Sequence, residues 1–139
     1  MRAQASTALL LAASLLATPA PASAQDKAQA AFERLVDGNM KLIRIVGVLE
    51  HCELGGLSGQ AVQLLGKKAQ RQLADDADAG LLREGDRHLV AKRFLEASVY
   101  FALGFADGMK MTHAPDWKYP ECVNAPLVLD ELLRADADG

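Results

Sequence analysis

Cys52 and Cys122 carry the plainest chemistry in this chain, because thiols can oxidise, ligate metals or act as nucleophiles. In an oxidising compartment a lone pair of cysteines is most simply a disulfide. Two free thiols, or half of a metal site, are the alternatives. The bridge would close a loop of about 70 residues and remove about 4 kcal/mol of chain entropy from the unfolded state, less any strain. That is a large share of a small domain's stability. His51 adjoins Cys52 and invites a metal reading. Adjacent helical residues, however, point about 100° apart and rarely chelate one ion together. The sequence has no His-x-x-x-His and no Cys-x-x-Cys pair. His51, His88 and His113 are expected to be surface or hydrogen-bonded histidines, and neither a metal nor a cofactor is expected.

Other reaction chemistries find little support. Beyond residue 24 the only serines are Ser58 and Ser98, and neither sits in a Gly-x-Ser-x-Gly elbow. Ser58 reads as a helix cap and Ser98 as part of an apolar helix face. The acidic run Asp75-Asp76-Ala77-Asp78-Ala79-Gly80 fails the calcium-loop pattern in either register, so it reads as a solvated loop. Two opposed carboxylates would suit glycoside hydrolysis, but with eighteen acidic residues chance pairs carry no weight. There is no phosphate loop and no dinucleotide fingerprint. No catalytic residue is assigned, and the chain is expected not to be an enzyme.

Two features remain. The stretch from His113 to Glu121 holds the one Trp and one of the two Tyr, between Pro115 and Pro120. Asp116, Trp117, Lys118 and Tyr119 are the candidate partner-binding residues, because Trp and Tyr anchor interfaces and prolines cut the entropy lost on docking. The alternative is that Trp117 and Tyr119 cover the edge of the core. Gly104 and Gly108 stand four apart, on one helix face, and would let another helix approach closely. Packing within the fold and a homodimer contact are the two readings of that pair.

These residues must be positioned by helices, because β-branched residues are sparse and no period-2 run occurs. A first helix is expected from about Asp26 to Glu53, with Phe32, Leu35, Leu42, Val46 and Leu49 at helical spacing. Asp37-Gly38-Asn39 should kink or split it, and Gly55-Gly56 should end it. A second helix would start at Ser58 as N-cap and bury Ala61, Leu64, Leu65 and Leu73. The third, Gly85 to Lys110, is apolar over much of its girth and is expected to be the central core helix. Its stripe runs through Leu89, Phe94, Ser98, Phe101, Phe105 and Met109. After an irregular stretch from Thr112 to Val123, a last helix would open near Asn124 with Pro126 in its first turn. Residues 135–139 should be a frayed acidic tail. The fold class is therefore all-α, a small bundle of four to five helices with one disulfide.

Residues 1–24 have the build of a secretory signal peptide. Arg2 precedes an apolar run from Ala8 to Ala17, and Ala22-Ser23-Ala24 supplies a small-x-small site for cleavage after Ala24. The run is too short to span a bilayer, so no stable membrane insertion is expected after cleavage. The remaining single domain, residues 25–139, holds fourteen basic and eighteen acidic residues, a net charge of −4. Such a domain has no general reason to seek nucleic acid. The expected location is the bacterial periplasm, with secretion as the second choice.

Three segments together resemble the Tai-type periplasmic immunity proteins. Val48-Leu49-Glu50-His51-Cys52-Glu53 resembles the first cysteine motif of that family. Ala102-Leu103-Gly104-Phe105-Ala106-Asp107-Gly108-Met109 is similar to its glycine-containing central helix. Tyr119-Pro120-Glu121-Cys122 followed by Leu127 to Leu133 is similar to its cysteine-plus-helix ending. The chain departs from the family in about 40 residues between the first two motifs and in lacking a cysteine around Val99 to Phe101. The resemblance implies a protein that neutralises a peptidoglycan-cleaving amidase by dimerising and inserting a loop into the enzyme. In outline the chain is also similar to HdeA-type acid-stress chaperones, which implies an unfolded client rather than an envelope enzyme as partner. The expected function is accordingly that of an exported protein-binding module, an immunity or inhibitor protein, with the chaperone as alternative.

Overall fold

A computed structural model describes residues 21–139, so the expected signal peptide lies outside the described residues except for its last four positions. The first helix, α1, runs Ala24–His51. Ser23 caps it in a reciprocal box: its Oγ accepts from the Asp26 N–H at 3.1 Å, and the Asp26 carboxylate accepts from the Ser23 N–H at 3.2 Å. The helix continues through Asp37-Gly38-Asn39 without the expected interruption. Asn39 is buried and donates its side-chain amide to the Leu35 carbonyl at 2.8 Å, so the polar residue bonds within the helix instead of breaking it.

α1 ends before the double glycine. Glu53 takes a left-handed conformation at φ 61°, the Leu54 N–H reaches back to the Leu49 carbonyl, and the Glu53 N–H reaches the Glu50 carbonyl. This is the two-bond closure that usually places glycine at that position. Gly55 then opens α2, Gly55–Asp78. Ser58 is therefore not an N-cap. It is buried one turn into α2 and donates its hydroxyl to Glu50 Oε1 at 2.6 Å, which ties the end of α1 to the start of α2. The expected acidic loop is also helical as far as Asp78. Asp76 is held by Arg34 at 3.1 Å, and the chain turns only at Gly80, φ 73°.

A short 3-10 turn, Glu84–Asp86, leads into α3, Arg87–Lys110. α4 spans Pro120–Asp138, opening on a proline in its first turn, so Pro126 lies inside the helix instead of near its start. Residues 135–138 continue α4. Lys67 at 3.2 Å and Arg71 hold Asp136 against α2. The described residues thus form four α-helices and no strand, with the single Cys52–Cys122 disulfide.

The central helix is α1, which packs against all three others. α3, expected at the centre, buries Val90, Ala91, Phe94, Ser98, Ala102, Ala106 and Met109 and leaves the opposite side to solvent. At Gly47 the two helices come close together. A Cβ there would stand 2.7 Å from the Phe105 ring and 3.0 Å from the Ala102 carbonyl oxygen. Phe94, Leu35, Leu49, Leu64, Leu65, Leu73 and Leu129 fill the interior. Among the described residues, no helix is long and apolar enough to cross a membrane.

Candidate functional site

The disulfide joins the C-cap of α1 to the first turn of α4, with the two Cα atoms 5.6 Å apart. Around it the chain builds an aromatic plug. His51, one residue before the cap, is fully buried, and among the described residues neither Nδ1 nor Nε2 finds a hydrogen-bond partner. This corrects the expectation of a surface or hydrogen-bonded histidine. The last turn of α1 faces the core, so the imidazole serves there as a flat packing surface. Tyr119 meets it edge-on at 5.5 Å and stacks on His113 at 4.5 Å. The Tyr119 hydroxyl donates to the Met109 sulfur at 3.4 Å. Burial pushes the Tyr119 phenol above the ordinary tyrosine range, Glu121 adds to that rise, and Arg44 offsets part of it.

The plug holds a short loop, residues 112–119, between α3 and α4. Asp116 organises its tip. Its side chain accepts from the Lys118 N–H at 2.8 Å, and its carbonyl accepts from the Tyr119 N–H at 3.0 Å. Trp117 is 75% exposed, with the Lys118 ammonium 5.9 Å from its ring. The four residues singled out in this stretch therefore divide. Asp116, Trp117 and Lys118 face solvent, whereas Tyr119 packs against the core and anchors them. The aromatic pair is thus neither wholly core nor wholly surface.

Gly104 and Gly108 lie on the open side of α3, and a Cβ on either would meet nothing within 4 Å. Among the described residues they mediate no helix packing. Gly47, which no motif or spacing singles out, performs that role. The glycines lie in a stripe with Ala97, Tyr100, Phe101 and Met111, all exposed. Leu89 and Phe101, two members of the stripe expected to face the core, are exposed. The apolar girth of α3 was visible in the sequence, but it reflects two apolar faces, only one of which is covered. Beside the stripe, Phe32, Val36, Met40, Ile43, Ala97 and Phe101 line a shallow apolar groove of about 230 Å³ between α1 and α3.

Among the described residues, no group of three or more His, Cys, Asp or Glu side chains is gathered to hold a metal ion. The arrangement offers surfaces for contact: an indole on a braced loop and an apolar helix face. Comparison with protein families, with characterised proteins and with solved structures yields no match.

Proposed function

We propose that this chain is an exported protein-binding module of the cell envelope that captures a protein partner with loop 112–119. The observation that supports this most is Trp117, exposed at 75% on a loop anchored from beneath by Tyr119 and braced by Cys122. A large amphipathic side chain held in water loses little entropy on docking, and the bracing limits what the backbone loses. The disulfide fits an exported protein, and the periplasm is the compartment we propose. Within that reading the partner is an envelope enzyme, and the immunity role implied by the three-segment resemblance makes it a peptidoglycan amidase.

The test is capture from an envelope extract by the wild-type chain and by Trp117→Ala, followed by identification of the bound protein and an amidase assay with and without the chain. The substitution should weaken capture about thirtyfold, the scale of an interface hot spot. It should leave the melting temperature unchanged, because Trp117 covers no core. Equal capture by both proteins would remove the loop from the account. The chaperone reading draws on the uncovered apolar side of α3. It predicts suppression of client light scattering at pH ~3, below the carboxylate range, and the absence of protection there removes it.

A further inference from the structure

Eight basic side chains among the described residues form ion pairs, and Lys41 and Arg44 are not among them. Both stand, exposed, on one wall of a groove of about 370 Å³ between α1 and α4. We propose that this groove binds a small anionic amphiphile: a single alkyl or acyl chain ending in a carboxylate or phosphate. The inference does not rest on the function proposed for loop 112–119.

The fold holds the groove open. α4 is tied at its start to the end of α1 by the Cys52–Cys122 bridge, and near its end to α2 by Asp136 with Lys67 and Arg71. It therefore leans from α1 toward α2 along its length and leaves a gap beside the middle of α1. Lys41, Ile45, Val48 and Cys52 recur at steps of four, three and four, so they share one stripe of α1. Cys52 closes that stripe against α4, Ile45 and Val48 lie under the gap, and Lys41 stands at its outer end.

The chemistry of the lining selects the class of ligand. The floor is apolar: Ile45, Val48 and Ala125 belong to the core, and Met40 and Val128 rise beside them, partly in water. The rim is cationic. Arg44 sits over the Phe105 ring, 5.8 Å from its centroid. A guanidinium presents a planar fork of donors that fits a carboxylate or a phosphate, and Lys41 adds a second charge three residues away. Glu121 is the one acidic side chain of the lining, so the groove carries two positive groups against one negative, although the domain as a whole is acidic. An apolar floor beside two cations without acidic partners suits an apolar chain with an anionic head.

Size decides between a small molecule and a second protein. The groove lies at the lower end of small-molecule sites, which run from about 300 to 1,000 Å³. A stable protein interface buries about 800 Å² on each partner. Here the floor is largely covered already, with Ile45 and Val48 each 7% exposed and Ala125 4%. A single chain fills such a slot, whereas a protein surface laid over it would bury little further apolar area.

The test is calorimetric titration of the purified chain with sodium decanoate, decyl phosphate and decyltrimethylammonium bromide, each below its micelle concentration. The two anionic probes should bind with dissociation constants of about 1 mM or below, the scale of a short chain in a shallow site, and the tighter of the two identifies the head. The cationic analogue should bind at least tenfold more weakly. Lys41→Gln and Arg44→Gln should each weaken decanoate binding about threefold, the scale of an exposed ion pair, and Glu121→Gln should strengthen it. Asn124→Trp fills the groove from the rim of α4 and should abolish binding. These four residues are exposed, so the melting temperatures of the variants should stay close to that of the wild type. Tyr100→Glu, on the outer side of α3, should bind decanoate as the wild type does. No binding by either anionic probe up to about 10 mM overturns the proposal. Equal binding of the cationic analogue, or binding untouched in Lys41→Gln with Arg44→Gln, overturns the anionic class. Binding that survives Asn124→Trp lies elsewhere and overturns the assignment, and its loss in Tyr100→Glu would place it on α3.

Discussion

α3 carries two apolar faces built from similar residues, and they meet opposite fates. The inner face sets Phe94, Ala102, Ala106 and Met109 against α1, with Gly47 supplying the close approach. The outer face sets Tyr100, Phe101, Gly104, Gly108 and Met111 toward solvent. Glycines occur at both faces, Gly47 of α1 against the inner one and Gly104 and Gly108 on the outer one, but among the described residues Gly47 alone of these three has an opposing ring within contact distance. A small residue permits close packing; it does not create it. What decides is whether a large side chain on a neighbouring helix is aimed at the gap.

The widest gap between the two faces should come from truncating one aromatic on each. Phe94→Ala removes a fully buried ring and should cost about 3–5 kcal/mol, whereas Tyr100→Ala should change monomer stability by less than about 0.5 kcal/mol. Urea unfolding of the two variants at low concentration measures this. Equal losses would mean that the outer face is covered within the chain.

The disulfide sets the ends of the inner packing. Replacing both Cys52 and Cys122 by Ser should cost about 2–4 kcal/mol. A reduced-state melt alongside the double variant checks the figure.

A finer contrast comes from the glycines. Gly47→Ala drives a methyl into the Phe105 ring and should cost about 1–3 kcal/mol. Gly104→Ala fills open space in a helix and should raise monomer stability by about 0.5–1 kcal/mol. The opposite signs, read by thermal denaturation, are the sharpest statement of the difference between the two faces.

The smallest effect lies away from α3. Arg71, through a hydrogen bond, holds the Asp136 carboxyl below the usual carboxylate range, and Lys67 adds to this against a partial burial cost. A carboxyl with a depressed folded value stabilises the fold above its ordinary titration point. That contribution is lost as the pH falls through the folded value. The stability difference between the wild type and Asp136→Asn should therefore be present at pH ~6 and shrink as the pH falls below the ordinary carboxylate range, and added salt should shrink it too.

Much of the fold is legible locally. Leu35, Leu42, Val46 and Leu49 recur with the helical period, as do Ala61, Leu64, Leu65 and Leu73, and they lie in the core where that period puts them. The cysteine pairing follows from count, because the sequence holds two cysteines and they bridge. Ser58 shows what is not legible: its type suits a cap, yet Glu50 on the preceding helix claims its hydroxyl. Asp75 and Asp76 resemble a loop until Arg34, more than forty residues earlier, arrives to hold the second of them. In the candidate loop, exposure of Trp117 and burial of Tyr119 cannot be told apart by residue type, because both rings are amphipathic. Met109, His113 and His51 decide between them.

Composition and periodicity alone determined that the domain is helical, which residues can share a face, and that two distant thiols are available to join. Those properties depend on each residue's own backbone and on neighbours three or four positions away. Only the tertiary structure decided which of the two apolar faces of α3 is covered, that α1 is the helix at the centre, and that Gly47 lies against the Phe105 ring. Each of those outcomes depends on which side chains from distant segments compete for the same volume.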